Sequence, residues 1–204
     1  ISNESHGIFS KARPDGRDIL FTAPDGITKL SHEMEYFSAS GAPRMSAWVR
    51  MPFMASNTAA SLLMYYGNSN SLDQQNATNV WRNGYELVLH MSETNGICRD
   101  STGHGNGGYP VNMDTIKAVG QIAGGLAFDN TNDYVEIKSM SGYLDFDTSI
   151  LSDHTFSIWF NPRVVRSNDG LWGGNYGKLM TTTHSSCIST RADDMDNEQI
   201  YSFT

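Results

Sequence analysis

Short runs in which hydrophobic and polar residues alternate dominate the chain, and helical spacing is scarce. No segment of about 12 residues or more keeps apolar residues at i, i+3, i+4 and i+7 without an interrupting Gly or Pro. Clusters of Gly, Pro, Asn, Asp and Ser separate the alternating runs, which is typical of β-sandwiches. The pattern therefore predicts an all-β chain, with strands at residues 19–22, 45–51, 60–66, 85–91, 125–128, 134–137 and 155–160.

One polar segment divides this pattern. Residues 67–80 read GNSNSLDQQNATNV, a composition that is typical of a long loop or linker. We therefore place a domain boundary inside this segment. The expectation is two β-sandwich domains, at residues 1–75 and 76–204.

Charge and hydropathy narrow the range of partners. The 204 residues carry a formal net charge of −8, which disfavours binding to the phosphates of nucleic acids. No run of about 18 apolar residues is present, so we expect no insertion into a membrane. The two cysteines, Cys98 and Cys187, lack the spacing of a metal site, and a disulfide and two free thiols both remain open.

Four sequence elements follow Leu87 in a recognisable order. They are the turn DSTGHGNG and the strands GQIAGGLAFD, DYVEI and TFSIW. This order resembles the first half of a laminin-G-like (concanavalin A-like) jelly roll, a domain common in bacterial and archaeal surface proteins. The resemblance implies that the second domain is such a jelly roll.

The upstream part of the chain carries a second resemblance. Its elements are DGRDILFT, the strand SAWVRMPF and the terminal YYGN. They resemble a small domain of unknown function that precedes laminin-G-like modules in secreted prokaryotic proteins. The two resemblances imply an extracellular or cell-surface location in a prokaryote. They also imply more strands than the chain supplies, so we expect both sandwiches to be short of strands and the chain to be a processed or partial piece of a longer protein.

Oxygen-bearing side chains in two segments form a candidate metal site. Asp129 and Asp133 belong to the corner DNTND, and Asp100 and Asn106 belong to the turn DSTGHGNG. Such oxygens suit Ca²⁺, and related jelly rolls carry Ca²⁺ at the rim of the sandwich. The competing interpretation is structural, because Asp and Asn also build tight turns between strands.

Aromatic residues provide a candidate ligand site. Trp172 and Tyr176 lie in a Gly-rich segment, where exposed rings can stack on sugars. In contrast, Trp48 and Trp159 lie in the middle of predicted strands, so we expect both to be buried.

The sequence offers little support for catalysis. Glu33 and Glu35 lie two residues apart and face the same side of any strand, as a pair of glycosidase carboxylates would. The strand motif of jelly-roll glucanases is absent, so we expect these glutamates to be solvated on a strand face. His90 lies in an apolar run, and we expect it to be a hydrogen-bonded core or rim residue rather than a metal ligand.

These observations favour a non-catalytic extracellular binding or adhesion module that recognises carbohydrate or a surface protein. The alternative is a structural subunit of an extracellular filament, in which a neighbouring chain supplies the missing strand. A divergent glycosidase built on Glu33 and Glu35 is the third hypothesis.

Overall fold

The structure is a computed structural model of the chain. It describes residues 1, 5–113, 118–129, 131–139, 142–143, 155–161, 177–181, 187–192 and 198–203. The chain divides into two compact units, Ile1–Leu144 and Asp145–Thr204, and each is described by itself. Antiparallel sheets make up both units, so the prediction of an all-β chain is confirmed.

Most of the described elements lie in the first unit. Its two short helices are α1 (Ile8–Lys11) and α2 (Ala77–Val80). Its first strands are β1 (Leu20–Thr22), β2 (Lys29–Leu30), β3 (His32–Ser38), β4 (Arg44–Val49) and β5 (Leu63–Tyr65). The later ones are β6 (Cys98–Arg99), β7 (Asn106–Val111), β8 (Ala118–Val119), β9 (Gly124–Gly125), β10 (Tyr134–Ser139) and β11 (Gly142–Tyr143).

Two small sheets form the N-terminal half of this unit. One has the strand order β2-β1-β5, in which Phe21 lies opposite Leu30 on one side and Met64 on the other. The other is the β3–β4 hairpin, whose register shifts between Met34 and Tyr36. A core of buried side chains lies between these elements and α1. It consists of Ile8, Phe9, Ile19, Phe21, Leu30 and Met45.

A four-stranded antiparallel sheet with the order β11-β10-β7-β6 forms the C-terminal half of the unit. Strand β7 lies at its centre, where Gly108 is covered closely by Leu89 and Val135. Strands β8 and β9 form a separate pair. In the second unit, β12 (Gly177–Thr181), β13 (Cys187–Ala192) and β14 (Glu198–Phe203) form an antiparallel sheet in chain order.

The predicted strands were right where alternation and turn residues agreed. Strands β1, β4 and β10 begin within one residue of the predicted runs, and β5 lies inside its run. Three predicted strands were wrong. Residues 85–91 make only one bridge, between Leu89 and Asp100. Of the run at 125–128 only Gly125 lies in a strand, at the end of β9, and residues 155–160 form no strand. Trp159 is 76% exposed rather than buried.

Residues 67–80 form a loop that ends in α2, as the polar composition predicted. Hydrogen bonds hold the end of this loop against β3, with Asn76 N donating to the carbonyl of His32. The boundary placed at residue 75 stays a prediction. Within the described part of the chain, no helix has the length and apolar character that crossing a membrane requires.

Candidate functional site

A cluster of polar and aromatic side chains lies where the β3–β4 hairpin meets the segment after α2. We call it the Glu–His cluster. Its members are Glu33, Glu35, Trp48, Trp81, His90 and Ser101. Strand alternation places both glutamates on one face of β3, as the sequence predicted. Trp48 lies opposite Glu33 on β4, and the other three members arrive from more than forty residues further along the chain.

Glu33 is the acceptor at the centre of the cluster. One carboxylate oxygen accepts from Trp81 Nε1 and lies 3.0 Å from His90 Nε2. The other oxygen accepts from Ser101 Oγ at 2.6 Å. The side chain is 14% exposed, so the hydrogen bonds replace most of the water that a carboxylate would otherwise bind. Glu33 therefore ties three distant residues to the hairpin.

Glu35 holds the opposite side of the same histidine. Its Oε2 accepts from Trp48 Nε1 at 2.6 Å and lies 3.5 Å from His90 Nδ1. The His90 ring stacks on Trp48 with centroids 5.9 Å apart, and Trp81 packs edge-on against Trp48 at 5.1 Å. Since an imidazolium carries a hydrogen on each nitrogen, the charged form of His90 can donate to both carboxylates.

The protonation states follow from competition between burial and pairing. Burial acts to lower the pKa of His90, but its hydrogen bond to Glu33 and the charges of Glu33, Glu35 and Glu93 outweigh burial and leave that pKa raised. Burial acts to raise the pKa of Glu33, yet the hydrogen bonds from His90, Ser101 and Trp81 leave it lowered. Both shifts favour an ion pair between the two side chains near neutral pH.

The arrangement suits a fixed structure better than proton transfer. Ser101 donates to Glu33 rather than to His90, and a carboxylate with a lowered pKa is a weak base for activating a hydroxyl. A glycosidase needs its two carboxyl groups on either side of the scissile bond. Here the imidazole of His90 lies between Glu33 and Glu35, in the space that a sugar linkage would need.

The expectation that Glu33 and Glu35 are solvated was wrong. The side chain of Glu35 is only 4% exposed, because Trp48 and His90 cover it. The expectation for His90 was right in its essential point, since the ring is partly buried and paired with two carboxylates. The sequence contained one signal for this pairing: two acidic residues at i and i+2 faced a strand with a central tryptophan.

Next to the cluster lies an exposed surface, which we call the Tyr85 surface, formed by Tyr85, Glu86 and His104. Tyr85 is 48% exposed, and its ring packs edge-on against Trp81 with centroids 5.2 Å apart. His104 Nδ1 lies 3.6 Å from the Glu86 carboxylate, and both side chains are more than half exposed. Tyr85 and Glu86 are neighbours in the chain, and the Glu86–His104 pair adds an exposed carboxylate and imidazole to this segment.

Two of the predicted metal ligands, Asp100 and Asn106, form hydrogen bonds with the segment that precedes Leu89. The Asp100 carboxylate accepts from Val88 N at 3.1 Å and from the amide and hydroxyl of Thr102. Asn106 Nδ2 donates to the carbonyl of Glu86 at 2.9 Å. Both side chains therefore have structural partners.

Asp129 and Asp133 close the corner before β10. Asp129 N donates to Asp133 Oδ2 at 2.9 Å, and Asp129 Oδ1 accepts from Thr131 N at 2.7 Å. These are the hydrogen bonds of a tight turn.

The structure does not bring the two predicted pairs of metal ligands together. In the β7–β10 ladder, Asn106 pairs with Ser139, whereas Tyr134, which follows Asp133, pairs with Val111 at the other end. Five residues of strand separate these ends, or about 17 Å. Among the described residues, no group of three or more His, Cys, Asp or Glu has the geometry to hold a metal ion. A Ca²⁺ site at either pair stays a prediction.

The remaining predicted sites have different outcomes. Trp172 and Tyr176 lie outside the described residues. Cys98 is a buried free thiol, and burial together with the charge of Glu93 raises its pKa to about 11. Thiols react as thiolates, so Cys98 is unreactive near neutral pH.

Residues 15–101 match a family described as Domain of unknown function (DUF2341). This match confirms, at that level, the domain of unknown function expected upstream. It runs through the segment at 67–80 and includes all six residues of the Glu–His cluster. Comparisons with curated proteins and with solved structures gave no match.

Proposed function

We propose that the chain is a non-catalytic binding or adhesion module of a secreted or cell-surface prokaryotic protein, and that it recognises carbohydrate at the Tyr85 surface. The observation that carries the proposal is the half-exposed ring of Tyr85, held edge-on by Trp81. Sugar rings stack on aromatic faces, and fixing the face beforehand lowers the entropy lost on binding.

The Glu–His cluster holds Trp81 in place, and Trp81 in turn packs against Tyr85. Trp81 donates to Glu33, and Glu33 is fixed in turn by His90 and Ser101. Rigid supporting contacts of this kind are what a binding site needs. The exposed Glu86 and His104 supply a carboxylate and an imidazole for hydrogen bonds to sugar hydroxyls.

The resemblance of the downstream segments to laminin-G-like jelly rolls adds to the same proposal. Jelly rolls of this kind serve as binding modules, and the β11-β10-β7-β6 sheet provides antiparallel strands of the type that such a fold uses. We include Ca²⁺ at the Asp129–Asp133 corner as a part of the proposal that can be tested separately.

A glycan array followed by titration calorimetry tests the proposal. We expect Tyr85→Ala to weaken binding by about 1 kcal/mol, roughly fivefold in Kd, and Tyr85→Phe to retain most of the affinity. Tyr134→Ala is the matched control, because Tyr134 is 50% exposed but lies on β10. Binding of no glycan, with Ca²⁺ or with EDTA, would count against the proposal, as would equal losses in the Tyr85→Ala and Tyr134→Ala variants.

The filament hypothesis keeps one specific observation in its favour. At the outer edge of β4, Met45 exchanges main-chain hydrogen bonds with Ile1, as residues of neighbouring antiparallel strands do. Negative-stain microscopy of the native protein separates the two functions, because monodisperse particles would contradict a filament and leave carbohydrate binding unaffected.

A further inference from the structure

One exposed motif of the first unit has no part in the Glu–His cluster. Residues 76–78 read Asn-Ala-Thr, which matches the acceptor sequence Asn-x-Ser/Thr for attachment of a glycan to asparagine. Where this sequence is used, it lies at the surface of secreted proteins. In the structure it falls at the end of the loop at residues 67–80, where α2 begins, and both Asn76 and Thr78 are exposed.

The oxygen and the nitrogen of the Asn76 side-chain amide have different surroundings. Its Oδ1 accepts from Asn79 N and from Thr78 Oγ1, both at 3.2 Å. The first of these hydrogen bonds caps α2. Within the described part of the chain, no residue accepts a hydrogen bond from Asn76 Nδ2. The nitrogen to which a glycan is joined is therefore the atom that stays available.

The side chain of Thr78 is held at both of its branches. Its Oγ1 donates to Asn76 Oδ1, and its Cγ2 lies so close to Gly103 that a Cβ there would be only 2.7 Å away. Carbon atoms in contact are about 3.5–4.0 Å apart, so glycine at position 103 leaves the room that this methyl group needs. The packing favours the rotamer that turns the Thr78 hydroxyl toward Asn76.

The main chain at the start of the motif is tied to β3. Asn76 N donates to the carbonyl of His32 at 2.8 Å, and Gln75 Oε1 accepts from Met34 N at 2.6 Å. A glycan on Asn76 Nδ2 replaces one amide hydrogen and removes no acceptor. The modified side chain therefore keeps its Oδ1 cap on α2, and the main-chain hydrogen bond to His32 is unchanged.

We propose that Asn76 is a site of N-linked glycosylation, with a sugar carried on a lipid phosphate as the donor. Asn76 Nδ2 forms a bond to the anomeric carbon of the sugar, and the bond from that carbon to the phosphate oxygen breaks. The lipid phosphate leaves with the electron pair, and Nδ2 gives one proton to a base of the transferase. The inference rests on the secreted or cell-surface location proposed above and is independent of carbohydrate binding at Tyr85.

Peptide mass spectrometry of the protein purified from the cells that produce it is the first test. Trypsin cleaves after Arg50 and Arg82 and yields one peptide with the motif, since no Lys or Arg lies between them. We expect this peptide to carry a sugar mass that fragmentation places on Asn76. An unmodified Asn76 in protein from the medium or the cell envelope overturns this inference and leaves the proposed function intact. An unmodified Asn76 in protein found only in the cytoplasm contradicts both.

Variants expressed in the same cells separate the motif from the fold. Thr78→Val keeps the shape of the side chain and its contact with Gly103 but removes the hydroxyl, so we expect loss of the glycan. Thr78→Ser keeps the hydroxyl and should retain the glycan. Asn76→Asp should lose it although aspartate still caps α2. The matched control is Asn79→Gln, which leaves the motif intact. Retention of the glycan in Thr78→Val, or its loss from Asn79→Gln, would overturn the inference.

Discussion

Replacing Glu33 by Gln tests whether the Glu–His cluster holds the first unit together. The change preserves the size of the side chain and removes its charge. Two of the donors to Glu33, Trp81 Nε1 and His90 Nε2, share one oxygen that an amide oxygen can replace. The amide NH₂ can then donate to Ser101 Oγ, since a hydroxyl also accepts. The variant should therefore fold.

The expected loss comes from the charge. A hydrogen bond to a charged group contributes about 1.5–3 kcal/mol, against about 1 kcal/mol for a neutral one. Losing this advantage at two bonds predicts destabilisation of about 2 kcal/mol for Glu33→Gln. Glu86→Gln is the matched control, because the Glu86 side chain is 64% exposed and its pairing with His104 is screened by water. We expect its effect to stay below about 0.5 kcal/mol.

The pH dependence gives the decisive measurement. Because the folded pKa of His90 is raised, its contribution to stability is complete below the unfolded value of about 6.5 and is lost as pH rises through the folded pKa. Without Glu33 the pKa of His90 falls toward its ordinary range. The difference between wild type and Glu33→Gln should therefore be larger at pH 5.5 than at pH 8.5.

Urea denaturation at the two pH values measures the free energy of unfolding, and an NMR titration follows His90 directly. Contributions from other histidines cancel in the difference between the two proteins. The reasoning is refuted if Glu33→Gln loses no more stability than Glu86→Gln, or if its loss is the same at both pH values.

Local pattern was sufficient for part of the fold. Strands β4 and β10 were predictable because alternating apolar residues are bounded by turn residues on both sides. The strand predicted at residues 85–91 does not form, and the reason is physical. The Asp100 carboxylate accepts from Val88 N, so a side chain takes a main-chain donor that a second strand could otherwise pair with, and the pairing stops at the single Leu89–Asp100 bridge. Alternation alone cannot show which acceptor a main-chain N–H will find.

The candidate site is formed by residues that lie far apart in the sequence, so local patterns could not predict it. Glu33 and Glu35 match a solvated strand face in every local respect, and their burial results from His90, which is 57 residues from Glu33. The predicted Ca²⁺ site shows the same limit. Composition indicated the oxygen ligands, but the register of β7 against β10 decided that Asn106 and Asp133 lie at opposite ends of a ladder.

Two further predictions concern the packing of the first unit. In the central strand β7, Gly108→Val should cost about 1–3 kcal/mol by thermal denaturation, because a Cβ at Gly108 already comes within 2.8 Å of Leu89 and 2.9 Å of Val135; an unchanged Tm would contradict this packing. His32 is fully buried against Phe21, and within the described part of the chain neither ring nitrogen has a partner with good hydrogen-bond geometry, although the backbones of Leu30 and Ile19 lie close enough to favour its charged form in part. Burial lowers its pKa, so the unfolded state binds more protons below about pH 6.5 and stability falls as pH decreases from that value. His32→Leu removes this titration together with the two ring nitrogens that lack a well-placed partner. Urea denaturation should therefore show equal or greater stability than wild type at pH 5, with the smallest gain at pH 8. Greater acid sensitivity in the variant would mean that His32 is stabilised in its charged form, against the burial argument.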